Sequence, residues 1–475
     1  MLAMFLAAIE ATIVSTAMPS IVADLGGFSL YSWVFSAYLL TNASTVLLFG
    51  KLSDTYGRKP IFMLGILLFL AGSIFAALAE AMGVLIVARF VQGLGAGALM
   101  PIATTIVGDM YSKEERAKIQ GYLSSVWGIS AVTGPLLGGF FVDTLSWPYV
   151  FWLNIPLGLL ALAGVMIFFK EDIQRRPARR VEFKSSLYIM VLVSLVVLIL
   201  VEGGLGIQWI SFEMMILIAA GGISLFLFIN SERVSENPML PLHLWENHSI
   251  RYANLTSFAT GMILIGVSSY LPAFVQGVME QSATVAGFTL TTMSIGWPIA
   301  AAIAGRLLLR IGFRLTSILG GTALIVGAGL FSLLTPEKGP FFAASASLFI
   351  GIGMGLSTTS FIVSIQNSVE WRSRGIATAS NMFMRTLGSA VGAAVLGGIL
   401  NNRIHDSLEE SGLEQEFTVD SANLLLNREA RSNLSGEALQ VFKEGLTDGL
   451  QLVYLCLLFL SIISFILILR LPKKG

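Results

Sequence analysis

The sequence predicts an all-α polytopic membrane protein with fourteen transmembrane helices, two six-helix bundles plus two inserted helices between them. Three observations carry this prediction. Apolar residues make up 55% of the chain and charged residues only 12%, with a mean hydropathy of +0.79, and soluble domains carry about twice that charge. The apolar residues come in blocks of about 20, the length of helix that crosses a bilayer core of about 30 Å. Glycine and proline landmarks of the first part recur in the last part at a near-constant spacing.

Taken in order, the spans of the first bundle fall at roughly 3–23, 30–49, 61–79, 83–107, 120–142 and 147–169. The inserted pair falls at roughly 186–201 and 213–229, the first of them cut short by Glu202 and Gly203-Gly204. The second bundle holds roughly 251–275, 287–308, 315–334, 341–364, 376–400 and 449–470. The expected organisation is therefore an N-terminal bundle over 1–170, a linker with the two extra helices over 171–249, and a C-terminal bundle over 250–475 that includes a long extracellular loop, 401–448. The opening MLAMFLAAIEATIV has no basic n-region and no small-residue cleavage site, so it reads as span 1 rather than a secretory signal, with a short natural N-terminus expected before it.

Basic residues orient this layout. With both termini in the cytoplasm, the inner segments collect most of the 29 Lys and Arg residues, from Lys51, Arg58 and Lys59 through Lys113, Arg116 and Lys118 to Arg470, Lys473 and Lys474. The short outer loops hold only Lys338. This is the positive-inside pattern.

The repeat accounts for the glycines. Gly121, Gly134 and Gly138 recur as Gly375, Gly388 and Gly392, and Gly50 and Gly57 as Gly305 and Gly312. Gly93, Gly95 and Gly97 recur as Gly351, Gly353 and Gly355, and Pro19 as Pro272, each about 255 residues on, as duplicated transporter halves do. Glycine faces also let helices approach closely in lipid, but packing alone does not require a constant spacing.

Composition also narrows function. A formal net charge of +0 gives no general attraction to nucleic acid. A single cysteine, Cys456, excludes a disulfide framework. His243, His248 and His405 are expected in loops and are not grouped as metal ligands. No nucleophile–base constellation or phosphate-binding loop is visible, so neither an enzyme nor an ATP-driven pump is expected, and no cofactor or metal is implied.

Four motifs carry a family resemblance. Gly50-Lys51-Leu52-Ser53-Asp54-Thr55-Tyr56-Gly57-Arg58-Lys59, between spans 2 and 3, resembles the G-x-L-x-D-x-x-G-R-K loop of the major facilitator superfamily. Arg89 through Gln92, Gly93 and Gly95 in span 4 resembles the family's R-x-x-Q-G-x-G. Gly134-Pro135-Leu136-Leu137-Gly138-Gly139 in span 5 is similar to the antiporter motif of exporters. Glu10-Ala11-Thr12-Ile13-Val14 with Ala17-Met18-Pro19 resembles the D-x-T-I-V…A-x-P motif of the fourteen-span drug:proton antiporters (EmrB/QacA type), with Glu10 in place of the commoner Asp. Trp147 and Phe151 through Asn154-Ile155-Pro156-Leu157-Gly158 fit the same group. The resemblance implies a major-facilitator fold and proton-coupled export by alternating access.

The candidate residues follow. A carboxylate inside a span costs about 2.5–3.5 kcal/mol on insertion scales, so Glu10 is expected to face a cavity or a partner and to alternate between a proton and a cationic substrate. Arg89, with Gln92, is its natural counter-charge and has a coupling role by resemblance. At about 1.5 Å per residue the two fall at different depths, so a direct contact does not follow from the sequence. Arg385, near mid-membrane, is expected either to bind an anionic group or tune Glu10, or to be structural. Gly50, Asp54, Gly57, Arg58 and Lys59, joined by Asp109, are implied as a cytoplasmic gating latch. Gly134, Pro135, Gly138 and Gly139 are implied as the bend that shapes the contact between halves. At the repeat positions of Asp54, Arg89 and Glu10 stand Leu309, Ser347 and Ile263, so proton chemistry is expected in the first half.

The expected function is proton-coupled multidrug efflux of amphipathic or cationic compounds. The alternative is a monovalent cation/proton antiporter or a dedicated metabolite exporter on the same fold. The expected partners are a drug-like small molecule, protons and the lipid bilayer, without nucleic acid, in a functional monomer. The expected location is the cytoplasmic membrane of a bacterium, multi-pass.

Overall fold

The computed structural model describes the chain except for residues 111–112, 170–182, 204–210, 236–241, 371–373, 414–415, 427–430, 432–433 and 473–475. For residues 11, 47, 51, 54, 107–110, 113–125, 127, 131, 183, 186, 201–202, 242–243 and 374–375 it describes the backbone alone. Among the described residues the architecture is helical throughout, with no strand.

The helices are α1 (Leu2–Leu25), α2 (Tyr31–Tyr56), α3 (Arg58–Ala77), α4 (Met82–Met110), α5 (Lys113–Thr144), α6 (Tyr149–Trp152) and α7 (Asn154–Phe168). The middle of the chain forms α8 (Phe183–Glu202) and α9 (Phe212–Val234). Then come α10 (His248–Ala273), α11 (Ala283–Ser332), α12 (Gly339–Asn367), α13 (Arg374–Ser411), α14 (Asn423–Leu426) and α15 (Gly436–Leu469). Ten described helices are long and apolar enough to cross a membrane, and the bent pair Leu2–Glu10 and Thr12–Leu25 makes up to eleven. Large side chains such as Phe168, Phe226 and Phe459 stand exposed on their outer faces. A helix with apolar residues on its outward face and all its backbone bonds internal is suited to lipid.

Two positions explain how the helices turn back. Gly57 between α2 and α3 has φ 97°, and Gly312 inside α11 has φ 78°. Both values lie in the region where a Cβ is strained and glycine is not. Gly312 thus breaks the 50-residue α11 into two arms, as Gly57 separates α2 from α3. The basic residue two places on does the same job in both copies. Lys59 Nζ donates to Met166 O and Phe169 O at the end of α7 (3.0 and 2.7 Å). Arg314 Nη2 donates to Leu469 O at the end of α15 (2.7 Å). Each closes the last, carbonyl-rich turn of a helix, where a cation is favoured.

Helices α1 to α5 and α7 pack on one another, and so do α10 to α13 and α15. Helix α8 lies against both groups, touching α2 and α13. Its Ile189, Val193 and Val197 share an apolar cluster with Leu40 and Ala43 of α2 and Phe383 and Ala394 of α13. Helix α9 packs outside α8, tied by Ser224 Oγ to Tyr188 O (2.8 Å).

The segment expected as an extracellular loop, 401–448, is largely helical at its two ends. Helix α13 continues to Ser411 and α15 begins at Gly436. The reason is spacing: Ile404 and Leu408, and Phe442 and Leu446, are buried at four-residue intervals, so each extension keeps one apolar stripe against the body. His405 accordingly lies in a helix, and His248 begins α10.

Candidate functional site

Arg89 and Gln92 are three residues apart on α4 and share one face. That face meets Glu10 of α1, Ser73 of α3, Tyr38 of α2 and Asn154, the first residue of α7. Arg89 Nη1 forms an ion pair with Glu10 Oε1 and donates to Gln92 Oε1 (2.6 Å). Its Nε donates to Val34 O (3.4 Å), and its guanidinium carbon lies 4.2 Å from the centre of the Tyr38 ring. Asn154 Nδ2 donates to the second carboxylate oxygen of Glu10 (2.7 Å). Ser73 Oγ receives Gln92 Nε2 (2.9 Å) and Asn154 Nδ2 (3.2 Å). Glu10, Gln92, Ser73 and Asn154 are 0% exposed and Arg89 2%.

The direct pair corrects the depth reading. Rise per residue measures straight, untilted helices with level ends. Helix α1 is bent by 41° beside Glu10, and the arginine side chain is long. The pair is also sealed inside the first group rather than open to a cavity. A buried pair is stable only when its remaining atoms are bonded, because desolvating two charges costs several kcal/mol each, and here Gln92, Asn154, Val34 and Tyr38 share that work. One acceptor, Asn154 Oδ1, has no hydrogen-bond partner. In the sequence neither Ser73 nor Tyr38 is singled out, and Asn154 stands only as part of a motif. Its position in the Asn154-Ile155-Pro156 motif was the available signal. A serine or tyrosine within a span carries none.

The second group contains a neutral counterpart. Asn381 Nδ2 of α13 donates to Asn254 Oδ1 (3.1 Å), Ser257 Oγ (2.8 Å) and Ala253 O (3.2 Å) of α10. Asn254 Nδ2 donates to Ser380 Oγ (3.0 Å). Arg385, one turn further along α13, joins neither cluster. Its guanidinium carbon lies 5.8 Å from the centre of the Trp297 ring on α11. Gln276, at the end of the α10 region, donates to Thr16 O of α1 (3.0 Å).

The groups meet along the end that carries the α1–α2 turn. Tyr31 donates to Ser269 O (2.6 Å) and stacks on Tyr270. Asn401 donates to Ser29 O (2.8 Å), and Ser29 N donates to Asp420 (2.9 Å). The amides of Ala283 and Thr284, at the start of α11, donate to Asp143 at the end of α5 (3.3 and 2.9 Å). A carboxylate at a helix N-terminus complements its unpaired amides.

The motif glycines lie in the same seam. A Cβ on Gly139 would stand 2.6 Å from Ala283 O, and one on Gly287 would strike Pro135 O. Gly134 and Gly138 instead face α1, against Thr12 and Thr16. Helix α5 runs as one helix through Pro135.

At the opposite end, Gly50 and Gly305 face open space and Leu309 is 90% exposed. Lys59 bonds within its own group, and Arg58 has contacts. The side chains of Asp54 and Asp109 lie outside the described residues, so the expected latch does too. No group of His, Cys, Asp and Glu among the described residues has the make-up of a metal site.

Long lipid-facing helices in two packed groups, with a buried charged cluster in one and a polar seam between them, define a polytopic membrane carrier. The chain belongs to the Major Facilitator Superfamily, which it matches over residues 1–393. It is 35% identical over 408 residues to the multidrug transporter protein MdtP of Bacillus subtilis (strain 168), covering 85% of this chain and 74% of that protein. It is 31% identical over 481 residues to multidrug resistance protein 3 of the same organism, covering 100% and 94%. Among solved structures it resembles a bacterial homologue of the human lysosomal transporter Spinster in an inward-facing, occupied conformation, with TM-score 0.68, 15% identity and coverage of 100% and 96%. That likeness concerns the fold. Membership makes the chain a membrane transporter and not an enzyme.

Proposed function

We propose that this transporter is a proton-coupled multidrug efflux antiporter, moving amphipathic compounds out of a bacterial cell by alternating access. The observation that carries the reading is the Glu10–Arg89 pair, buried in the first group with Gln92, Asn154, Ser73 and Tyr38 around it. The multidrug names of both Bacillus subtilis relatives support the cargo class.

The coupling follows from charge. A proton placed on Glu10 cancels its negative charge and removes the reason for Arg89 to stay beside it. Arg89 then keeps only Gln92 Oε1, Val34 O and the Tyr38 face, too little for a buried cation. The two protonation states therefore favour different packings of α1 against α4, and a transporter moves only as far as such a difference drives it. Helix α1 is already bent at this point. Because Glu10 has no exposed surface, it exchanges its proton only when the cluster opens, which keeps the proton from leaking through. The same burial removes Glu10 from direct contact with a cationic substrate in this form.

Orientation follows the basic residues. The α2–α3 loop and both termini face the cytoplasm, and the α1–α2 turn faces outside. The hydrogen-bonded seam is then an outer closure, and the form described is inward-facing. Fourteen spans in two bundles, 1–170 and 250–475, with α8 and α9 between them over 171–249, complete the reading, and a monomer suffices for it.

The test is export of a fluorescent amphipath by purified protein in proteoliposomes under an imposed pH gradient. Wild type concentrates the compound and a protonophore abolishes it. Glu10→Gln, folded and inserted, is expected to lose gradient-driven movement while retaining passive exchange. Gradient-driven movement at the wild-type rate by Glu10→Gln would overturn the proposal.

A further inference from the structure

The sign of the charge that the interior offers to a substrate differs from what the sequence suggests, and three observations bear on it. Glu10, the carboxylate set deep in a span, is fully buried and bound by Arg89 and Asn154. The stretches of α10, α11, α12 and α13 that follow Arg251 and precede the chain's ends carry no Asp or Glu at mid-span. Arg385 is partly exposed, and among the described residues its guanidinium has neither an ion-pair nor a hydrogen-bond partner.

The surroundings of Arg385 point the same way. The backbone side of this residue is committed to α10: a Cβ on Gly261 would strike Arg385 O. Its side chain leaves α13 and meets the half-buried Trp297 of α11. Helices α11 and α13 are separated by α10 and α12, which pack against both. Two side chains from separated helices that touch across the pair between them stand in the space in front of that pair. Met382, one turn before Arg385, is 46% exposed beside it. A cation, a flat aromatic face and a soft thioether side chain form a receptor for an aromatic acid. The guanidinium holds a carboxylate in a two-pronged bond, while indole and thioether accept a planar apolar body.

We infer that Arg385 and Trp297 form the substrate subsite and select amphipaths carrying an anionic group on an aromatic body over cationic ones. This rests on the export reading above and names its cargo. Without a substrate, the Trp297 face shields the guanidinium. With one, the carboxylate supplies the missing counter-charge. Proton coupling stays with Glu10 in the other half.

The experiment uses three naphthalene derivatives of equal length bearing a carboxylate, a carboxamide or a trimethylammonium group. Binding is measured by calorimetry on the purified full chain, with no gradient. Wild type is expected to bind the carboxylate roughly tenfold more tightly than the trimethylammonium compound. Arg385→Gln removes that preference and leaves the carboxamide within about twofold. Arg385→Lys keeps part of the preference, and Trp297→Ala weakens all three. Tighter binding of the trimethylammonium compound by wild type, or equal weakening of all three by Arg385→Gln, overturns the inference. Transport is read separately in proteoliposomes. If the carboxylate is bound in this order but no compound moves with a pH gradient, the coupling proposal fails and the subsite stands.

Discussion

The two halves of this transporter hold their helices together with polar clusters of opposite character. In the first, an ion pair links α1 to α4 and draws in α2, α3 and α7. In the second, amides and hydroxyls link α10 to α13, and the positions that repeat Glu10 and Arg89 hold Ile263 and Ser347, both fully buried. A neutral cluster has one state over the physiological pH range. A charged one has two. The repeated glycines give both halves a similar scaffold, and under the coupling proposed above the difference places the switching in the first.

The largest expected effect comes from breaking the charged cluster. Arg89→Leu leaves Glu10 buried without its partner and is expected to cost about 3–5 kcal/mol, read as a lower melting temperature of the purified protein. Glu10→Leu combined with Arg89→Leu should recover most of that loss. A double variant as unstable as the single one would mean that the arginine acts through packing alone. Next comes the seam. Gly139→Val drives a side chain at Ala283 O and should part the ends beside the α1–α2 turn, the outer ends in the proposed orientation. Labelling of a cysteine placed at Ser269, buried in that seam, by a membrane-impermeant maleimide is expected to rise about tenfold. Unchanged labelling would mean that α5 and α11 do not close this end.

The neutral cluster should respond differently. Asn381→Leu strips Asn254 and Ser257 of a donor and should cost about 1–3 kcal/mol, with the pH profile of transport unmoved. A shifted profile would break the contrast between the halves. The smallest effects lie outside the membrane. Asp143→Asn weakens the cap on α11 by about 0.3–1 kcal/mol, and the effect should shrink as salt is raised. Glu280, between α10 and α11, is held below its ordinary value of 4.5 by a hydrogen bond from Lys443 and by the charges of Arg431 and Lys443, against some burial. Its contribution is therefore complete above that ordinary value and fades as pH falls through the lowered one. Glu280→Gln should flatten the acid limb of thermal stability, measured between about pH 3 and pH 6.

Much of this was legible in the residues, for identifiable reasons. Apolar blocks and the repeated glycines announced the helices and the turns at Gly57 and Gly312, because those signals depend on local geometry. Glu10, Arg89 and Gln92 stood out because charge inside a span is costly enough to be rare. Their contact was not legible, since rise along a straight helix cannot register a 41° bend. Nor was the role of Ser73, Tyr38 or Asn154, whose residue types are ordinary helix glue until tertiary packing converges them. The Gly134–Gly139 motif is two-sided: Gly134 and Gly138 pack on α1, while Gly139 packs on α11. Asp143 and Trp297 escaped notice because each acts on a helix more than a hundred positions away or on an isolated arginine.

Helix α8 adds a mechanical consequence. It rests on α2 and on α13 at once, whereas α5 and α11 meet directly, through the close approach at Gly139 and Gly287 and the Asp143 cap at one end. Under the alternating access proposed above, the α2–α13 flank must shear a third body and the α5–α11 flank need only gape. Such a motion is off-centre, like a door hung on one jamb, and the opening edge is the glycine-lined one, latched at one end by Asp143.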